Sequence, residues 1–137
     1  MQKNSNIFLT HWLSVIIYAA FVFLLSSMPC ALRTPPIYSF DKILHIFEYA
    51  AFGILYSRAF LKSFPKATIL KYYIWVVSAL AFYGVSDELH QLLVPNREFS
   101  FYDILADAVG AGFGAFLYRL GLSKNYGRYK TIQSDCL

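Results

Sequence analysis

Three groups of residues in this chain carry side chains that exchange protons or hold ions: Asp41, Lys42, His45, Glu48 and Tyr49; Asp87, Glu88, His90 and Gln91; and Arg97, Ser100, Asp103 and Asp107. Carboxylates beside imidazoles supply general acid-base chemistry or ligands for a divalent metal, and a guanidinium or ammonium beside them holds an anion. On residue type, Asp41, His45, Glu48, Asp87, Glu88, His90 and Gln91 are the candidates for catalysis. Lys42, Tyr49, Arg97, Ser100, Asp103 and Asp107 are the candidates for ligand binding. A divalent metal is a candidate cofactor, but the sequence names neither the ion nor its ligands, because no His-Glu-x-x-His pattern occurs and no Ser or Cys adjoins a histidine.

Each group adjoins an apolar run. A charged carboxylate facing lipid at the midplane costs about 2.5 to 3.5 kcal/mol on the insertion scale. Asp41, Glu48, Asp87, Glu88, Asp103 and Asp107 are too many acids to scatter over lipid-facing surfaces. Gathering them beside His45, His90, Lys42 and Arg97 compensates them, so the three groups are expected to meet.

The elements that must position them follow from hydropathy. Trp12 to Met28 is uncharged and stopped by Pro29. A Pro-rich connector follows, then a second span in which Ser39 or Asp41 offers an N-cap and Asp41, His45, Glu48, Tyr49 and Phe52 share one face by helical spacing. Tyr72 to Val94 is apolar until Ser86, with Asp87, His90 and Gln91 on one face, and Pro95 ends it. Ser100 with Asp103 resembles a capping box opening a fourth span, whose inward stripe is Asp103, Asp107, Gly110, Ala111 and Gly114. Gly110 and Gly114 form a small-xxx-small pattern that admits a second helix, from this chain or from another copy in an oligomer. The predicted fold is all-α: an integral membrane bundle of four transmembrane helices, spans about 11–28, 42–61, 72–94 and 101–118, within a domain 1–121 followed by a basic tail 122–137.

Composition agrees. Hydrophobic residues make up 58% and charged residues 15% of the 137, the latter against about 25% in soluble domains. The net charge of +4 does not indicate a nucleic-acid partner, since the basic residues alternate with apolar runs and form no recognition element. Most of them, from Lys3 through Arg58, Lys62, Lys66 and Lys71 to Arg119, Lys124, Arg128 and Lys130, fall on one side of the membrane. That side, with both termini, is predicted to be cytoplasmic in the bacterial inner membrane. Tyr72, Tyr73 and Trp75 suit an aromatic belt at that level. The polar groups then lie in the outer third of the bilayer. Cys30 and Cys136 fall on opposite sides, so no disulfide between them is expected.

Ser26-Ser27-Met28-Pro29, Asp41-Lys42-x-x-His45-x-x-x-Tyr49-x-x-x-Gly53, Ser86-Asp87-Glu88-x-His90-Gln91 and Arg97-x-x-Ser100-x-x-Asp103 followed by Gly110 and Gly114 resemble the VanZ-like family of small bacterial membrane proteins. The resemblance covers roughly residues 26 to 118. It implies a cell-envelope setting and an association of founding members with resistance to teicoplanin-type glycopeptides, without implying a reaction. Asp107 stands where the family more often has Asn, and Pro95-Asn96-Arg97 replaces the commoner Pro-Gly-Arg.

Three functions compete. An enzyme would use His45 or His90 as base or metal ligand, with Arg97 holding an anionic lipid or lipid-linked head group. A non-catalytic membrane binder or structural module would hold an envelope lipid, precursor or lipophilic drug at the outer leaflet, with Arg97 and the aromatic rim mattering more than the histidines. A transporter ranks last, because the inner halves of the spans carry little beyond Arg58 and Arg119.

Overall fold

The computed structural model describes residues 8–28 and 40–134. The Pro-rich connector, the Ser39 cap and both cysteines lie outside them. The regular elements among the described residues are all helices, without strands. A π-helical turn, Phe8–Trp12, leads into α1 (Leu13–Ser26); α2 is Phe40–Ser63, α3 is Ile69–Gln91 and α4 is Phe101–Ser134.

Short connections alternate the direction of α2, α3 and α4. Thr68, extended at ψ 158°, caps α3 by accepting from the Lys71 N–H at 3.4 Å, which satisfies one of the orphan donors of the first turn. After α3 the chain turns at Pro95-Asn96, where Asn96 has φ 62°. That left-handed conformation favours Gly and tolerates Asn, so Asn suits the place where the resemblance has Gly. The fourth helix runs on past residue 118 and through the segment read from sequence as a tail. No proline follows Pro95 to stop it.

Polarity is arranged for an apolar solvent. Phe82 is 77% exposed and Phe47 68%, whereas Glu88 is fully buried and Asp107 only 1% exposed. In water that distribution would leave large apolar patches uncovered. Leu9–Ser26, Ile69–Gln91 and Phe101–Leu122 are long and apolar enough to cross a membrane. The α2 helix falls short of that measure because it carries Asp41, Lys42, His45, Glu48 and Arg58. It is also the helix most extensively packed against α4, and it touches α1 and α3 as well, so its polar face has protein rather than lipid to meet.

The α2–α4 contact is backbone against backbone. A Cβ on Gly110 would strike the Ile46 carbonyl, one on Gly114 the Ala50 carbonyl, and one on Gly53 would lie 2.5 Å from the Ala111 carbonyl. The small-residue stripe therefore serves packing within the chain. Below this contact an apolar core of Val22, Phe52, Val76, Leu80, Ala111 and Ala115 fills the middle of the bundle. Tyr72, assigned from sequence to an interfacial belt, is instead fully buried, its hydroxyl 2.8 Å from Ser57 Oγ and 2.9 Å from the Ala115 carbonyl. A tyrosine can sit there because both polar neighbours satisfy its hydroxyl.

Candidate functional site

The C-terminal ends of α1 and α3 and the N-terminal ends of α2 and α4 lie together, and all three polar groups sit at this end. They fall into two connected sets.

The first set faces α1. Ser26 Oγ donates to Asp87 Oδ1 at 2.6 Å, and both residues are buried. Gln91 Nε2 donates to Asp87 Oδ2 at 3.3 Å and accepts on Oε1 from Arg97 Nη1 at 3.2 Å, while Arg97 Nη2 reaches the Met28 carbonyl at 3.5 Å. Helical spacing produces this relay, since residues 87 and 91 are one turn apart on α3. His90 sits at its edge, its Nε2 3.0 Å from Ser27 Oγ and its ring 4.3 Å from that of Phe23.

The second set lies between α2 and α4. His45 Nδ1 is 2.9 Å from Asp107 Oδ1, with both side chains almost wholly buried. Lys42 Nζ donates to Asp103 Oδ1 at 2.7 Å and lies 5.8 Å from the centre of the Tyr102 ring. One oxygen from each of Asp41 and Asp103 and one His45 ring nitrogen lie within 4.8 Å of one another, a grouping that could hold a metal ion.

Residues of α3 join the two sets. Glu88 Oε2 accepts the Ser100 N–H at 2.8 Å, and Glu88 is in electrostatic range of Asp103, His45 and Asp107. Gly84 leaves room for Asp107: a Cβ there would lie 2.7 Å from Asp107 Oδ2. The expected capping box at Ser100 takes another form, in which Asp103 N–H donates to the Ser100 carbonyl at 3.1 Å and the carboxylate at the Ser100 amide comes from α3. Glu48 is half-buried beside this end, and its backbone carbonyl accepts from the Tyr18 hydroxyl at 3.0 Å.

Most of these polar atoms satisfy one another, but five buried ones have no hydrogen-bond partner among the described residues: His45 Nε2, Tyr49 Oη, Glu88 Oε1, Arg97 Nε and Asp107 Oδ2. Buried polar atoms are ordinarily paired with protein or water. Atoms of three different helices left open at one level can receive a proton, a cation or a polar ligand group.

Ser26 and Ser27 were not among the candidates read from sequence. Their signal was the run of two hydroxyls at the end of an otherwise apolar span. Replacing Ser26 with alanine is expected to destabilise the protein by about 1 to 3 kcal/mol, because Asp87 Oδ1 then remains buried without its donor. Denaturation of the detergent-purified variant checks this, and an unchanged midpoint would show that Asp87 does not depend on α1.

At the opposite end, Trp12 Nε1 donates to Ser63 Oγ at 2.9 Å and Arg58 Nη2 to Ser14 Oγ at 2.9 Å. A cavity of about 600 Å3 opens there between Trp12, Tyr56, Phe60 and Trp75, with Lys66 and Lys71 at its edge. None of the candidate residues lines it.

A family model described as VanZ/LLP1 matches residues 2–122. No curated protein and no solved structure matches the chain.

Proposed function

The chain belongs to the VanZ/LLP1 family of membrane proteins, and from that premise we propose that its buried polar site receives the anionic head group of a cell-envelope lipid or lipid-linked precursor at the outer leaflet. In this reading all four helices span the bacterial inner membrane. The Lys- and Arg-rich end, with both termini, faces the cytoplasm, and the site opens to the other side. Arg97 and Lys42 are the cationic contacts for the head group, and His45, Glu88 and Asp107 move or hold protons beside it.

The observation that carries this reading is the set of unpartnered atoms on His45, Tyr49, Glu88 and Asp107. These atoms come from three helices and stand beside Lys42 and Arg97, so a polar group with negative charge would find both open partners and cations at this end. A transport path finds no support, because the apolar core closes the bundle beneath the site. Arg58 is committed to Ser14, and Arg119 lies 5.8 Å from the Tyr72 ring centre. Resistance to glycopeptides would follow from action on a lipid-linked wall precursor at this site.

The test is retention of a polyprenyl phosphate by the full-length protein in nanodiscs, compared with the uncharged polyprenol. The expected result is selective retention of the phosphate, weakened at least tenfold in Arg97→Ala. Equal retention of the two lipids would contradict the proposal. A second reading, a structural module, is favoured by the pairs Ser26–Asp87, Lys42–Asp103 and Glu88–Ser100. It expects variants at these positions to change stability and leave lipid retention as it was.

A further inference from the structure

We propose that Asp41, His45 and Asp103 form a binding site for one divalent cation of the kind that accepts both nitrogen and oxygen, zinc or manganese. The proposal deepens the head-group reading by naming what would hold an anionic group at the site.

Geometry supplies the first argument. Asp41 and His45 are one turn apart at the start of α2, and Asp103 opens α4, so two helix ends bring three ligand atoms to within 4.8 Å of one another. Three protein ligands that leave coordination positions open are the arrangement of catalytic rather than structural metal sites. A mixed imidazole and carboxylate set suits zinc or manganese better than the all-oxygen preference of magnesium or calcium.

The state of His45 is the second, independent argument. Its Nδ1 lies 2.9 Å from the Asp107 carboxylate and its Nε2 has no partner, although the residue is only 2% exposed. A carboxylate at Nδ1 fixes the proton there and turns the Nε2 lone pair outward. That is how ligating histidines are oriented, by a carboxylate behind the ring. A buried lone pair so prepared, with no donor to it among the described residues, is suited to an electron-pair acceptor such as a metal ion. Glu88 is fully buried, in electrostatic range of His45 and Asp103, and its Oε1 is also open. It is placed to take a proton from water or from a hydroxyl bound beside the ion.

Charge favours the same occupant. Asp41, Asp103, Asp107 and Glu88 gather around this end of α2 and α4, where Lys42 is the cation that meets Asp103. Its ammonium holds Asp103 Oδ1 and its side chain is 35% exposed, with the Tyr102 ring 5.8 Å away. Lys42 therefore stands in for the cation and can withdraw toward Tyr102 when a metal takes the carboxylate. It follows that lysine and metal compete.

The experiment uses full-length protein purified in detergent, stripped with a chelator and titrated separately with zinc and with manganese by calorimetry, with manganese also read by its paramagnetic resonance signal. The expected result is one equivalent of at least one ion per chain. Affinity should fall at least tenfold in Asp41→Asn and Asp103→Asn, and rise at least threefold in Lys42→Met. Asp41 is half-exposed, so Asp41→Asn keeps the test valid even if a buried variant fails to fold. Absence of stoichiometric binding for both ions, affinity unchanged in Asp41→Asn, or affinity lowered by Lys42→Met would each overturn the site. Selective retention of polyprenyl phosphate with no stoichiometric binding of either ion would sink the cation site alone, and metal binding without lipid selectivity would sink the head-group reading alone.

Discussion

Gly114→Val is expected to destabilise the protein by about 3 kcal/mol or more, the upper range for overpacking, because the clash is with backbone rather than with a side chain that can rotate away. A Cβ on Gly114 would overlap the Ala50 carbonyl, and the neighbouring turns are equally close at Gly110 against Ile46 and Gly53 against Ala111. Relief requires α2 and α4 to separate along their length. That separation would also pull His45 from Asp107 and Lys42 from Asp103, which are the polar contacts of the same helix pair. Gly121→Val is the matched control, since nothing lies within 4 Å of a Cβ there. Membrane accumulation and the denaturation midpoint in detergent read both variants. Equal behaviour would show that α2 and α4 are not in backbone contact.

Asp107→Ala is expected to cost about 3 to 5 kcal/mol, the range for removing one partner of a buried polar pair. Asp107 is 1% exposed and His45 2%, so the imidazole left behind has no water to replace the lost acceptor at Nδ1. Asp107→Asn is the informative companion. An amide oxygen can still accept from Nδ1, so its cost should stay near 1 kcal/mol, within the range of one ordinary hydrogen bond. Chemical denaturation of the three proteins gives the ranking, and similar losses for Ala and Asn would mean that the pair does not hold the two helices together.

Much of this arrangement could be read from spacing. Asp103, Asp107, Gly110, Ala111 and Gly114 recur at three and four residues, and all are buried on one stripe of α4. The same arithmetic placed Asp87 and Gln91 one turn apart, and they are hydrogen-bonded. What spacing could not supply was partner choice between helices. Ser26 reads as the polar end of an apolar run until α3 brings Asp87 within 2.6 Å of its hydroxyl. Tyr72 reads as a belt residue because an aromatic near a span end usually is one, and only the approach of Ser57 and Ala115 makes it core. The helical course of the chain beyond the fourth span was not legible for a different reason. A basic, weakly apolar segment carries no periodic signal of its own, and the helix continues through it to Ser134 because nothing breaks it.

The two histidines, equivalent by sequence, also separate. His90 is turned toward α1, against Phe23 and Ser27, and its Nε2 has a hydroxyl within reach. His45 lies inside the α2–α4 contact with Nε2 open. That difference makes His45 the residue on which both the head-group reading and the cation site turn.

The central claim is that polar residues far apart in sequence are energetically joined at one end of the bundle. A double-mutant cycle on unfolding free energy with His45→Ala, Asp107→Ala and the double variant, in one detergent, measures it directly. The double variant is expected to lose about 1 to 3 kcal/mol less than the two single losses added together. Additivity within about 0.5 kcal/mol would contradict it, because residues that do not share an interaction add in that way.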